Sequence, residues 1–363
     1  MILITSLVLV SFLLVTHYPA FGGSPKGEVL QRMNSASNYY KGKFVNKNPV
    51  KTKFSFSETM EMISMFLKGN PQSVPENKIP VQYWEKEDIL HLPDSVTTAI
   101  WFGHSAFYIK TGGLNILLDP MFGNYPSPFP YLTKRRFNDS LPIQINDLPV
   151  IDVVVFSHDH YDHLDYGSIL KLKDKVKKFV APLGVGDHLR TWGVESEKIV
   201  EMNWNESIEI QGTSFICTPA QHFSGRGFTN KMSTLWSSWV IKNESSSLFF
   251  SGDSGYFEGF KEIGDSYGPF DVCFMECGQY NELWKDIHMF PEETVQAHID
   301  LQGKLLVPIH WGAFSLSVHD WNEPVKRLTL EAQKKGVNAT TPIIGEPVTI
   351  GNKMEVNDWW SSR

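Results

Sequence analysis

The sequence predicts an α/β protein in which two mixed β-sheets pack together and are flanked by helices. Three observations point there. From residue 95 onward the chain turns into short apolar runs separated by helical stretches and turns. The early part of this region is mostly strands, whereas the later part mixes strands with helices. With 363 residues and 42% apolar content, there is enough material for a substantial core.

The strand candidates, in order, are 98–102, 106–110, 115–118, 152–156, 178–181, 214–218, 235–241, 248–250, 272–275 and 304–308. Helices are expected over 186–192, 257–267, 291–302 and 322–336. The third has the clearest start, because Pro291 suits a first turn and Glu292 and Glu293 oppose the helix dipole. An earlier helix is predicted from an N-cap at Ser57, with Glu58 and Glu61 near its start and Gly69-Asn70 ending it. Met60, Ile63, Phe66 and Leu67 share one face of it. Packing is the default role for that face, and contact with lipid acyl chains is the alternative. No internal repeat is present.

Four segments follow: 1–22 as a signal peptide or membrane anchor, 23–94 as an N-terminal extension, 95–352 as the main domain, and 353–363 as a C-terminal tail. No Lys, Arg, Asp or Glu occurs from Met1 to Pro25, and residues 2–15 are almost wholly apolar. The next stretch carries Lys26, Arg32, Lys41, Lys43, Lys47, Lys51 and Lys53 against Glu28 alone. Such a stretch either attracts an anionic membrane surface or forms a solvated linker. Together these predict membrane association or export. Thirty-three basic against 40 acidic residues argue against a nucleic-acid partner. Cys217, Cys273 and Cys277 form no CxxC pair and read as buried free thiols. Oligomeric state is not readable.

The chemistry is concentrated in His158-Asp159-His160-Tyr161-Asp162-His163, which follows the strand at 152–156. Three imidazoles and a carboxylate (Asp162) in one short loop are costly to bury unpaired, and divalent metal bonds them directly. His222, Asp253 and His310 each lie just past the end of a later apolar strand. Gly252 would let the backbone come close at Asp253. Asp119, ending the strand 115–118, reads either as a residue supporting the site from behind or, by default, as a turn residue; His104 could support the site but reads by default as structural. His188 carries no functional expectation.

The order HxHxDH, His, Asp, His resembles the metallo-β-lactamase superfamily. It is most similar to the branch containing N-acyl-phosphatidylethanolamine-hydrolysing phospholipase D and its bacterial relatives. The stretches SHDHYDHLDY at 157–166, TPAQH at 218–222, FFSGDSGY at 249–256, PFDVCFMECGQY at 269–280 and VPIHWGAF at 307–314 carry the likeness. It implies an αββα sandwich with 95–352 as the catalytic domain. It also implies two zinc ions: one on His158, His160 and His222, the other on Asp162, His163 and His310, with Asp253 bridging. The ions would stand about 3.5–4 Å apart and share a hydroxide that attacks a phosphodiester. Asp162, Asp253 and His288 would be catalytic, with Tyr161 and His288 near the substrate phosphate. The implied substrate is an N-acylated phospholipid or similar amphiphile, cleaved as by phospholipase D. Sugar-phosphate lactonase chemistry and a non-catalytic tethered scaffold are the alternatives. Ile287 stands where the lipase has Gln, and Cys277-Gly278-Gln279-Tyr280 differs from the Gly-Ala-Tyr that ends the lipase loop. These departures leave the headgroup open.

Overall fold

The computed structural model describes residues 18–51, 53–227, 229–352 and 354–361. Most of the N-terminal apolar run lies outside the described residues. Among those described, no helix is long and apolar enough to cross a membrane.

The strands are β1 Tyr39–Tyr40, β2 Lys43–Phe44, β3 Thr98–Trp101, β4 Phe107–Thr111, β5 Leu114–Leu118, β6 Ile151–Val155, β7 Val176–Pro182 and β8 Ile199–Met202. They continue as β9 Ser207–Ile210, β10 Thr213–Thr218, β11 Ser238–Lys242, β12 Ser247–Phe250, β13 Val272–Glu276, β14 Leu306–Ile309 and β15 Pro347–Thr349. The helices are α1 Gly27–Ser35, α2 Phe56–Lys68, α3 Lys86–Leu90, α4 Tyr166–Leu172, α5 Gly186–Thr191, α6 Gly259–Tyr267, α7 Pro291–Asp300 and α8 Glu323–Lys335.

One sheet runs β15-β3-β4-β5-β6-β7-β8 and the other β14-β13-β12-β11-β10-β9. Each combines an antiparallel part with a parallel part. Pairing turns parallel at β5/β6 in the first sheet and at β12/β13 in the second. Side chains alternate between two cores, as a period of two requires. Val153 and Val155 point into the layer between the sheets, with Phe107, Phe215, Trp239 and Phe274. Val154 points the other way, toward Ile169, Leu172 and Leu189 of α4 and α5. Residues of α6, α7 and α8, among them Phe260, Val295 and Leu328, cover the second sheet. The layers are therefore helix, sheet, sheet, helix. Both faces of the central strands are buried, which explains their continuous apolar runs.

Three strands of these sheets escaped the sequence pattern. β8 carries Glu201 in mid-run, and that carboxylate accepts from the backbone of Gly184 and Gly186 (2.8 and 3.1 Å). β9 is a half-exposed edge, and β15 is a three-residue strand opening on proline. β11 starts at Ser238 rather than 235, because the Leu235 N–H is drawn away to the Leu183 carbonyl (2.8 Å). The N-cap of α2 is Ser55, not Ser57. Ser55 Oγ accepts from the Glu58 backbone, and Glu58 returns the bond to the Ser55 N–H (2.8 Å).

The face of α2 does not pack as expected. No residue of this helix is buried, and Phe56, Met60, Ile63 and Leu67 are 83, 47, 45 and 83% exposed. Elsewhere the extension is tied down: Met33 and Phe44 join Leu183, Leu235 and Trp236 in a small core. The tail packs as well, with Trp359 stacked on Trp311 (5.4 Å). All three cysteines are free and buried.

Candidate metal centre

The site lies where strand ends from both sheets meet. The loop after β6 supplies His158, His160, Asp162 and His163. Loops after β10, β12 and β14 supply His222, Asp253 and His310. All seven come together. His158 Nε2 and His222 Nε2 stand 3.0 and 3.2 Å from His160 Nδ1. Two nitrogens bound tetrahedrally to one zinc, each about 2.0–2.1 Å from it, lie about 3.3–3.4 Å apart, so this trio has the spacing of a ligand set. A second set forms around Asp162, whose Oδ2 is 3.5 Å from His163 Nε2 and 3.3 Å from His310 Nε2. Asp253 Oδ2 reaches both: 3.1 Å to His163 and His310, and 3.7 and 3.8 Å to His158 and His222.

Electrostatics fits a cation here. Burial, reinforced by neighbouring imidazoles, holds His158 and His222 well below the ordinary histidine range, so their lone pairs are available. Burial disfavours charge on Asp162 and Asp253, yet the adjoining imidazoles outweigh it and keep both carboxyls well below their usual range. His163 is the converse case: burial opposes its charge, but Asp253, Asp162 and Asp119 raise it well above normal. The same contest pushes His310 up to about 10. The carboxylates thus demand positive charge at this spot, which a divalent ion would supply in place of the imidazolium protons. His163 Nε2 and Asp253 Oδ1 are buried with no hydrogen-bond partner, as open ligand atoms would be.

Backbone strain collects at the same rim. His104, Asp119 and His310 have φ of 57°, 36° and 64°, unusual for residues with a Cβ. His310 N donates to the His104 carbonyl (3.1 Å), and His104 N donates to the Trp311 carbonyl (3.2 Å). These bonds join the two sheets directly beneath the ligands. Gly252, at φ 57°, sits where a Cβ would come within 2.5 Å of Ser157 Cβ, so Asp253 reaches the site only because residue 252 is glycine.

Asp119 and His104 take the supporting role that is their alternative reading, and further supporting residues carry no sequence signal. Asp119 is no mere turn residue: its Oδ2 is 2.7 Å from His163 Nδ1, and its Oδ1 accepts from Ser157 N (2.7 Å). That bond orients the His163 ring, as outer carboxylates do at metal sites. His104 Nε2 lies 2.9 Å from Asp162 Oδ2 and so steadies that carboxylate. Asn46, from the extension, bonds both the N–H and the carbonyl of His222 (3.1 and 2.8 Å). Buried Asp159 is held by Gly225 N (2.8 Å), Thr234 Oγ1 (2.8 Å) and His188 Nε2 (3.3 Å). Arg226 binds the carbonyls of Asp159 and Leu164 (2.5 and 2.7 Å) from behind the loop. None of these residues adjoins its partner in sequence. Glu276, a lone acid ending the apolar run 272–275, also leaves a readable trace; its Oε1 is 2.6 Å from His288 Nδ1.

The cluster opens into a pocket of about 320 Å³, with His160, Asp162, Asp253, His288 and His310 at its polar end. Phe66, Phe223, Trp284, Ile287 and Leu316 form apolar walls, and Lys51 and Lys231 are its basic groups. His288 lines this pocket beside the cluster. Tyr161 does not line this pocket. Its hydroxyl donates to the Arg226 carbonyl, and its ring lies beneath the Arg226 guanidinium (4.1 Å). A second cavity of about 360 Å³, beside Arg136 and Asn138, includes none of the cluster.

Residues 114–311 match the family model described as a β-lactamase superfamily domain. The chain belongs to the metallo-β-lactamase superfamily. Its relatives in this superfamily include a Mycobacterium tuberculosis protein, Uncharacterized protein Rv0906, which is 38% identical over 94% of this chain and 92% of that one. The N-acyl-phosphatidylethanolamine-hydrolyzing phospholipase D 1 of Caenorhabditis elegans is 31% identical over 69% of this chain and 73% of that protein. Among solved structures, the metallo hydrolase Igni18 of Ignicoccus hospitalis aligns with a TM-score of 0.53 at 21% identity, covering 71% of this chain and all of that one. The superfamily fold and its metal-dependent hydrolase character agree with the layers and cluster described above.

Proposed function

We propose that this protein is a di-zinc phosphodiesterase acting on N-acyl-phosphatidylethanolamine-like phospholipids and releasing a phosphatidic acid. One observation carries the reading: His160, Asp162, Asp253 and His310 of the cluster form the floor of a pocket with apolar walls and two lysines. A phosphodiester at the floor would have its acyl chains along Phe66, Trp284 and Leu316, with Lys231 and Lys51, the latter paired with Glu58, as the lining's positive charges for the phosphate. The likeness to a lipid-cleaving phospholipase D supports the same substrate class.

His158, His160 and His222 would hold one ion and Asp162, His163 and His310 the other, with Asp253 shared. Bound there, two such ions supply Lewis acidity toward phosphoryl oxygens and bring the pKa of a water to roughly 7. The protein's part is orientation: Asp119 fixes His163, His104 fixes Asp162, and Asn46 fixes the His222 backbone. We further assign the exposed stripe Phe56, Met60, Ile63 and Leu67 to contact with a lipid surface. Phe66, on the same helix, stacks on Trp284 of the pocket wall (6.2 Å), and Lys41, Lys43 and Lys53 are exposed nearby in sequence.

The test is to incubate zinc-loaded protein with a panel of phospholipids and sugar lactones and weigh the products. Phosphatidic acid is the expected product. Turnover of lactones alone would overturn the reading.

A further inference from the structure

His288 is held by a single strong contact. Its Nδ1 lies 2.6 Å from Oε1 of Glu276, the last residue of β13. Glu276 is wholly buried. Its Oε2 accepts from the Ser254 N–H (2.5 Å), its own N–H donates to Ser251 Oγ (2.9 Å), and its carbonyl accepts from Thr294 Oγ1 (2.7 Å). The side chain cannot swing without breaking its bond to Ser254, which follows the Gly252-Asp253 turn, and the backbone of Glu276 is itself fixed by Ser251 and Thr294. A buried carboxylate is expensive to keep where packing alone would favour an apolar residue. Its bond goes to His288 rather than to the nearest cluster histidine: His310 Nδ1 is 4.0 Å away, beyond hydrogen-bonding reach.

From this we propose that Glu276 is a positioning residue that fixes His288 in the tautomer with hydrogen on Nδ1, so that Nε2 is the nitrogen presented to the reacting phosphodiester. The ring is confined on two further sides. It lies parallel to His310 (5.1 Å between centroids, 9° between planes) and edge-on to His222 (5.0 Å, 71°). With Nδ1 engaged and the ring flanked by His310 and His222, Nε2 is the remaining polar atom of a side chain that lines the pocket. The partner of one imidazole nitrogen decides which nitrogen carries the proton. This assignment rests on the phosphodiesterase reading only for what Nε2 meets; the tautomer itself does not depend on it.

The test combines a spectroscopic and a kinetic readout on the full-length, zinc-loaded protein. Nitrogen-15 spectra of histidine-labelled protein, with His288 assigned by its loss in His288→Ala, are expected to show Nδ1 protonated. In Glu276→Gln the side-chain oxygen keeps the Ser254 bond and the amide donates to Nδ1, so the tautomer should invert. Turnover of bis(p-nitrophenyl) phosphate should fall about 10²-fold in Glu276→Gln and in His288→Ala, with KM and zinc content nearly unchanged. The double variant should lose no more than either single one. Glu276→Asp, which keeps the carboxylate, should keep the native tautomer and recover part of the loss. An unchanged tautomer in Glu276→Gln, an inverted one in Glu276→Asp, or additive losses would overturn the proposal. If the native protein fails to cleave the phosphodiester, the functional reading fails while the spectra still decide the tautomer.

Discussion

The ligand-bearing rim and helix α2 border the same pocket but are held by opposite means. At the rim, His158, His163, His222, Asp253 and His310 are buried and His160 and Asp162 partly so, and the rings and carboxylates meet partners drawn from other loops. Along α2, not one residue is buried, and a stripe of four large apolar side chains faces outward. In a monomer surrounded by water such a stripe is unusual and marks a contact surface. The contrast separates two tasks. The rim fixes atoms for chemistry, while α2 has apolar surface left over for a partner.

The largest way to break this contrast is at the shared ligand. Asp253→Asn removes the carboxylate that reaches both ligand sets, and turnover should fall by about 10³-fold with loss of bound metal. Unchanged turnover, measured with metal content, would refute the bridging role. A middle effect is expected one layer out. Asp119→Asn keeps the size of the group but weakens its hold on the His163 ring, so zinc affinity should drop about 10- to 100-fold. Competition with a chelator measures it, and an unaltered affinity would return Asp119 to a structural role. The smallest effect on the fold belongs to α2. Ile63→Ser with Leu67→Ser should change stability by no more than about 0.5 kcal/mol, because neither side chain is buried. Binding to anionic phospholipid vesicles should weaken at least about tenfold, which about two of the six carbons removed would supply if they enter the lipid at about 0.8 kcal/mol each. Sedimentation with vesicles gives the answer, and equal binding would remove α2 from the lipid contact.

The same contrast marks what a sequence can reveal. His158, His160, Asp162 and His163 are legible because one six-residue loop holds them. His222, Asp253 and His310 become legible by their places after apolar strands and by the family likeness. Asp119 is readable as a turn or supporting residue, but its partner is not, because His163 lies 44 residues away and only the parallel pairing of β5 with β6 brings them together. Asn46 is hidden further still, reaching His222 across 176 residues from an extension with no metal-like pattern. The sheet core was readable from continuous apolar runs. β8 and β9 were not, since a buried Glu201 interrupts one and solvent borders the other. The periodicity of α2 marks a face, but a face does not say whether protein or lipid covers it. Tyr161 shows the limit of transfer by likeness, because its place in the loop is matched while its hydroxyl turns to Arg226.

The central claim is that the seven residues hold two ions that share Asp253. Native mass spectrometry during zinc titration, with turnover followed in parallel, addresses it most directly. The account predicts two zinc ions per chain at full activity and fewer in Asp253→Asn. Full activity in the native chain at a single bound ion would contradict it.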